Sequence, residues 1–162
     1  MKKYVLASAL LFTLSSVNAQ EKKEATKWDV EKYKGPTKSF SITTNEGTWM
    51  NLDVSPDGKE IVFDLLGDIY IMPITGGTAK LLSGGIAYEV QPRFSPNGKY
   101  ISFTSDRSGA DNIWLMDRQG GNKKQITKET FRLLNNATWM PNSDYIIARK
   151  HFTASRSLGA GE

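Results

Sequence analysis

Few side chains in this 162-residue chain are of a type that does chemistry. There is no cysteine, which excludes disulfides, thiol nucleophiles and thiolate metal sites. The one histidine, His151, stands in "ARKHFTASRS". A metal-dependent hydrolase site needs a cluster of ligands, and a Ser-His-Asp site needs its histidine beside a nucleophile. His151 alone supplies neither, and it is expected at a strand end with its ring satisfied by a hydrogen bond. "SDRSGADN", Ser105 to Asn112, lacks the carboxylate spacing and terminal Glu of an EF-hand. Asp106 and Asp111 are therefore read as turn caps. "GGTAKLLSGG", Gly76 to Gly85, holds glycines but no G-x-x-x-x-G-K-[ST], so it is not read as a phosphate loop. Trp49, Trp114 and Trp139 recur at strand positions, where packing between repeats is expected rather than a ligand platform. No catalytic, cofactor-binding or metal-ligating residue is assigned.

The elements around these residues repeat. "WMNLDV", "EIVFDLL", "IYIMPI" and "AKLLS" are four strand-like runs between Trp49 and Ser83. Ser55-Pro-Asp-Gly-Lys59 joins the first two. Pro56 presets φ for a type I turn, Asp57 suits the next position, and Gly58 can close a left-handed bulge. "VQPRFS", "YISFTS", "NIWLMD" and "KKQIT" repeat the pattern, with Pro96-Asn97-Gly98 as the turn. Pro56 and Pro96 are 40 residues apart, and Pro141 lies 45 beyond Pro96. Four strands at a period of about 40 to 45 residues read as β-propeller blades. The expected fold is all-β, with about two and a half blades of an incomplete ring: blade 1 about 48–84, blade 2 about 88–128, blade 3 about 136–162. In blade 3 Asn142 replaces Asp and Ser143 replaces Gly, so a different turn geometry is expected there. "KSFSITT", Lys38 to Thr44, is expected to be a lone strand, either closing the ring or lying at an edge.

The N-terminus has the plan of a secretory signal over residues 1–19. Lys2 and Lys3 precede an apolar run, Tyr4 to Leu14, and "VNA" precedes Gln20. The apolar run is 11 residues, too short for a span of about 20. Cleavage would leave 19 basic against 17 acidic residues, a charge of +2 that gives no case for nucleic acid. The expected location is the periplasm or the exterior, with no membrane span after cleavage. Residues 20–37, a polar linker of alternating Lys and acids, are expected to form a mobile tether, whose Trp28 and Tyr33 could dock on a domain surface. The last residues, "GAGE", fall where the next strand should begin. The chain is therefore expected to be the N-terminal piece of a longer protein, poorly soluble or oligomeric when isolated.

"SPDGK", "SPNGK" and "TSDRSGADNIWLMD" resemble the Pro-Asp repeats of TolB-like propellers, from about Thr48 onward. Such repeats occur in TolB, in prolyl oligopeptidase and tricorn-type peptidases, and in secreted amidohydrolases. "EGTWMNLDVSPDGKEIVFDLLGDIYIMPITGG", "FRLLNNATWMPNSDYIIARKHF" and "SRSLGAGE" are similar to the N-terminal propeller of amidohydrolases with an imidazolonepropionase-like domain. The resemblance implies a non-catalytic propeller whose parent hydrolyses C–N bonds with zinc or another divalent metal bound beyond Glu162. This chain itself would carry no cofactor. The implied partner is that downstream catalytic domain or a protein held by the propeller. The alternatives are a TolB-like protein-binding propeller and the gating propeller of a peptidase.

Overall fold

The computed structural model describes residues 29–33, 35–131 and 133–151. The signal sequence, Trp28, most of the linker and the "GAGE" terminus lie outside the described residues. The described chain holds a single turn of 3-10 helix, Val30–Lys32, and ten strands. Blade 1 is the antiparallel meander β1 (Leu52–Val54), β2 (Glu60–Leu65), β3 (Asp68–Pro73) and β4 (Lys80–Ser83). Blade 2 repeats it with β5 (Glu89–Phe94), β6 (Tyr100–Ser105), β7 (Asn112–Asp117) and β8 (Lys124–Gln125). β9 (Leu134–Trp139) and β10 (Ile146–Lys150) form a two-stranded third sheet. The fold class and strand order expected from the sequence are those found.

The turn between first and second strands is the same in all three blades. Gly58 N donates to Ser55 O at 2.8 Å, Gly98 N to Ser95 O at 2.8 Å and Ser143 N to Met140 O at 2.9 Å. Gly58, Gly98 and Ser143 have φ of 68°, 69° and 63°. The different geometry expected for blade 3 is therefore not adopted. Ser143 accepts the left-handed backbone at a cost of about 1–2 kcal/mol, and its hydroxyl accepts a hydrogen bond from Asn97 N at 3.0 Å in the neighbouring blade. In blades 1 and 2 the turn is locked by its serine. Ser55 Oγ donates to Asp57 Oδ1 at 2.6 Å and accepts from Glu60 N at 2.9 Å; Ser95 Oγ donates to Asn97 Oδ1 at 2.8 Å and accepts from Tyr100 N at 2.9 Å.

Packing follows the period-2 alternation of the strands. Val62, Ile69, Ile71 and Leu82 of blade 1 meet Phe94, Ile101, Phe103 and Met116 of blade 2 in one buried cluster. The opposite face of blade 2 places Ile113 against Leu134 and Ala137 of the third sheet. β5 lies across β1, β2 and β3, and β9 lies across β5, β6 and β7. Each blade thus meets the sheet before it through its own first strand.

Two expectations fail here. Residues 38–44 form no strand, and Phe40 and Ile42 are exposed. Alternation alone marks a run that can pair; a strand also needs a partner ladder, and this run has none among the described residues. Trp49 is 98% exposed rather than packed between blades. β1 begins only at Leu52, and Trp49, at φ 61°, lies outside the ladder that would have pinned its side chain.

Candidate functional site

The seams between blades hold most of the organised polar chemistry. At the first-strand edge, carboxylates of blade 1 accept from backbone amides of blade 2. Asp53 Oδ2 takes Phe94 N at 2.8 Å and Asp64 Oδ2 takes Gln91 N at 2.7 Å. Asp64 also accepts from Asn51 N and Asn51 Nδ2, both at 2.9 Å. One seam further on, Gln91 Oε1 accepts from Asn136 N at 2.9 Å and from Thr104 Oγ1 at 3.2 Å. Gln91 and Asn136 have φ of 59° and 55°. Each bulges its strand, which turns an amide out of its own ladder toward the neighbouring blade. In blade 1 Asn51 holds the corresponding place, five residues before the turn proline, but it binds Asp64 within its own blade.

At the opposite rim, Arg118 reaches from the β7–β8 turn to the β1–β2 turn of blade 1. Its Nε donates to Glu60 Oε2 at 2.6 Å and its Nη2 to Asp57 Oδ2 at 3.0 Å. The guanidinium lies 5.7 Å from the centre of the Phe94 ring. The Ser55 hydroxyl, then the Lys59 amide and Arg118, hold Asp57 at about 2, below the 3.8 of an ordinary aspartate. Hydrogen bonding to Glu60, with Asp57 behind it, raises the Arg118 pKa further above its already high value. Beside this clamp an open cleft of about 550 Å³ is lined by Lys59, Ile71, Lys80 and Arg118, among others. Burial raises the Asp68 carboxyl on the same sheet against the hydrogen bonds it accepts from Gly85 and Tyr70.

A second ion-pair group lies toward the other end of the seam. Glu89 is fully buried, and its Oε1 accepts from Arg107 Nη2 at 2.7 Å. Arg107 also sits 6.0 Å from the centre of the Trp114 ring and pairs through Nη1 with Glu31 at 3.4 Å.

The residues singled out in the sequence are dispersed. His151 does follow β10, and its backbone N donates to Leu133 O at 2.9 Å, but its ring Nε2 is buried and makes no hydrogen bond. The ring is therefore not satisfied as expected. Asp106 closes the turn through its backbone carbonyl, which accepts from Gly109 N at 2.7 Å, but its side chain does not cap the turn as expected: Oδ1 accepts from Tyr88 N at 2.8 Å, before β5. Asp111 is engaged as well. Trp114 packs on the blade 1–blade 2 cluster and Trp139 Nε1 donates to Arg93 O across the next seam at 3.3 Å. Among the described residues no group of three or more His, Asp or Glu is placed to hold a metal. Sequence reading missed Asp64, Gln91, Arg107 and Arg118. Their signal was available only as polar residues inside or beside apolar strands.

Antiparallel four-stranded meanders stacked face to face are the blades of a β-propeller. The TolB beta propeller domain family matches residues 30–159, and the chain belongs to it. It is similar to an uncharacterised protein of Agrobacterium fabrum, 33% identical over 92 residues, 54% of this chain and 30% of that one. It is also similar to tricorn protease homolog 1 of Streptomyces coelicolor, 32% identical over 72 residues, 44% of this chain and 7% of that one. The solved structure of a putative TolB from Agrobacterium tumefaciens superposes with a TM-score of 0.60 at 26% identity, over 66% of this chain and 40% of that one. The chain thus spans less than half the length of each of these relatives.

Proposed function

We propose that this chain is a non-catalytic propeller module of an exported protein and works by holding protein surfaces. The observation that carries this is the use of its acids. Asp53, Asp57, Glu60, Asp64 and Glu89 accept from backbone amides or pair with arginines inside the scaffold. A carboxylate so engaged is a poor general base or metal ligand, because its lone pairs already have partners. The periplasmic or secreted location rests on the signal-like residues 1–19. The amidohydrolase parent, with its divalent metal, rests on the sequence resemblance alone, since no relative named above is an amidohydrolase. The tricorn protease match favours a second reading, the gating propeller of a peptidase. The coding sequence past Glu162 separates them. A βα pattern with His-x-His supports the amidohydrolase, a late Gly-x-Ser-x-Gly the peptidase, and further blades followed by a stop a TolB-like binding protein. The chain itself is expected to hydrolyse neither amide nor peptide substrates when supplied with Zn²⁺. Turnover that disappears in His151→Ala would overturn the non-catalytic reading.

A further inference from the structure

The polar linker carries one ordered feature that its composition does not announce. Asp29 caps the turn Val30–Lys32: its Oδ1 accepts from Glu31 N and its carbonyl from Lys32 N, both at 3.1 Å. The turn presents Glu31 to the rim of the blade 1–blade 2 seam. There its Oε1 pairs with Arg107 Nη1 at 3.4 Å and lies 3.5 Å from where a Cβ on Gly85 would stand. A Cβ there would make only ordinary contact with the carboxylate; it is the backbone, at φ 141°, that favours glycine at Gly85.

Arg107 is built as a carboxylate receptor. Its side chain is 20% exposed, and Nη2 is anchored on the fully buried Glu89. Its plane lies near the Trp114 ring, which fixes the fork by cation–π attraction. Its Nε is buried and makes no hydrogen bond, nor do Glu89 Oε2 and Trp114 Nε1 beside it. One arginine therefore faces two glutamates, one internal to the blade and one brought in by the linker. With Nη2 held by Glu89, the part-exposed guanidinium still offers Nη1 to a second carboxylate.

We propose that Arg107, with Trp114 behind it and Gly85 beside it, is a carboxylate-binding site on the seam, and that Glu31 is its resident ligand. The linker is strapped to the propeller at this point. The strap fixes where the polypeptide from the N-terminus meets the blades and covers the Glu89–Arg107 pair.

The test is hydrogen exchange on the full chain, comparing wild type with Glu31→Gln and Glu31→Asp. Glu31 is at the surface, so neither variant threatens folding; amides of Ile101 and Phe103 serve as the control. Exchange at Glu31 and Lys32 is expected to quicken about threefold in Glu31→Gln, the size of a partly exposed ion pair. Glu31→Asp keeps the cap and the charge but shortens the reach, and should fall between. Raising the salt from about 0.05 to about 0.5 M should quicken exchange in wild type and leave Glu31→Gln unchanged. Amides of residues 30–32 exchanging equally fast in all three proteins at low salt would overturn the proposal. So would protection that persists unchanged in Glu31→Gln, since the turn would then be held without its carboxylate.

Discussion

Gly120 and Gly58 separate the strain of a turn from the closeness of two blades. Both glycines lie in left-handed turns, with φ of 90° and 68°. Around Gly58 nothing lies within 4 Å of an added Cβ, so Gly58→Ala costs only the left-handed strain, about 1–2 kcal/mol. At Gly120 the same Cβ would stand 2.6 Å from Leu82 O and 3.1 Å from both Leu82 C and Cα. Those atoms are backbone of β4, and the Leu82 side chain is part of the buried seam. They cannot swing aside as a side-chain end would, so the turn or the strand must shift. Overpacking of this kind adds about 1–3 kcal/mol, and the total for Gly120→Ala is about 2–5 kcal/mol. The assay is urea unfolding of the full chain followed by tryptophan fluorescence, with Trp114 reporting from the seam. The expected result is a midpoint for Gly120→Ala clearly below that of Gly58→Ala at unchanged slope. Equal losses would refute the argument, because they would mean that the β7–β8 turn does not press on the neighbouring blade.

Asp64→Ala leaves the amides of Asn51 and Gln91 and the Asn51 side chain without their acceptor, and should cost about 3 kcal/mol or more in the same assay; a loss under about 1 kcal/mol would show that water replaces it. Asp57, depressed to about 2, contributes stability that is fully present above the ordinary 3.8. That contribution should fade as pH drops from about 4 to about 2, and Asp57→Asn should flatten this part of a melting-temperature profile. An unchanged profile would mean that the Ser55 and Arg118 contacts do not form in solution.

Strand order and turn chemistry were written in the sequence because they are local. Ser-Pro-Asp-Gly fixes a left-handed turn within five residues, and alternation of apolar residues marks the strands on either side, so both blades and the start of the third could be placed. The turn of blade 3 shows where local reasoning stops. Ser143 looked unsuited to φ 63°, yet adopts it while its hydroxyl caps Asn97 of another blade. The exposed Trp49 and the strand-like run at residues 38–44 fail for a related reason, because apolar residues record what a segment could bury and not whether a partner is there. The polar seam was the least legible feature. Asp64, Gln91, Arg107 and Arg118 lie 27 to 76 residues from the groups they bind in the adjoining blade or linker, as the pairs Asp64–Gln91 and Arg107–Glu31 show. Residue type and spacing determine which strands form and how they turn. Which carboxylate meets which amide or guanidinium is decided only when separate sheets are brought face to face, because a hydrogen bond depends on direction and on distances of about 3 Å that the order of residues along the chain does not encode.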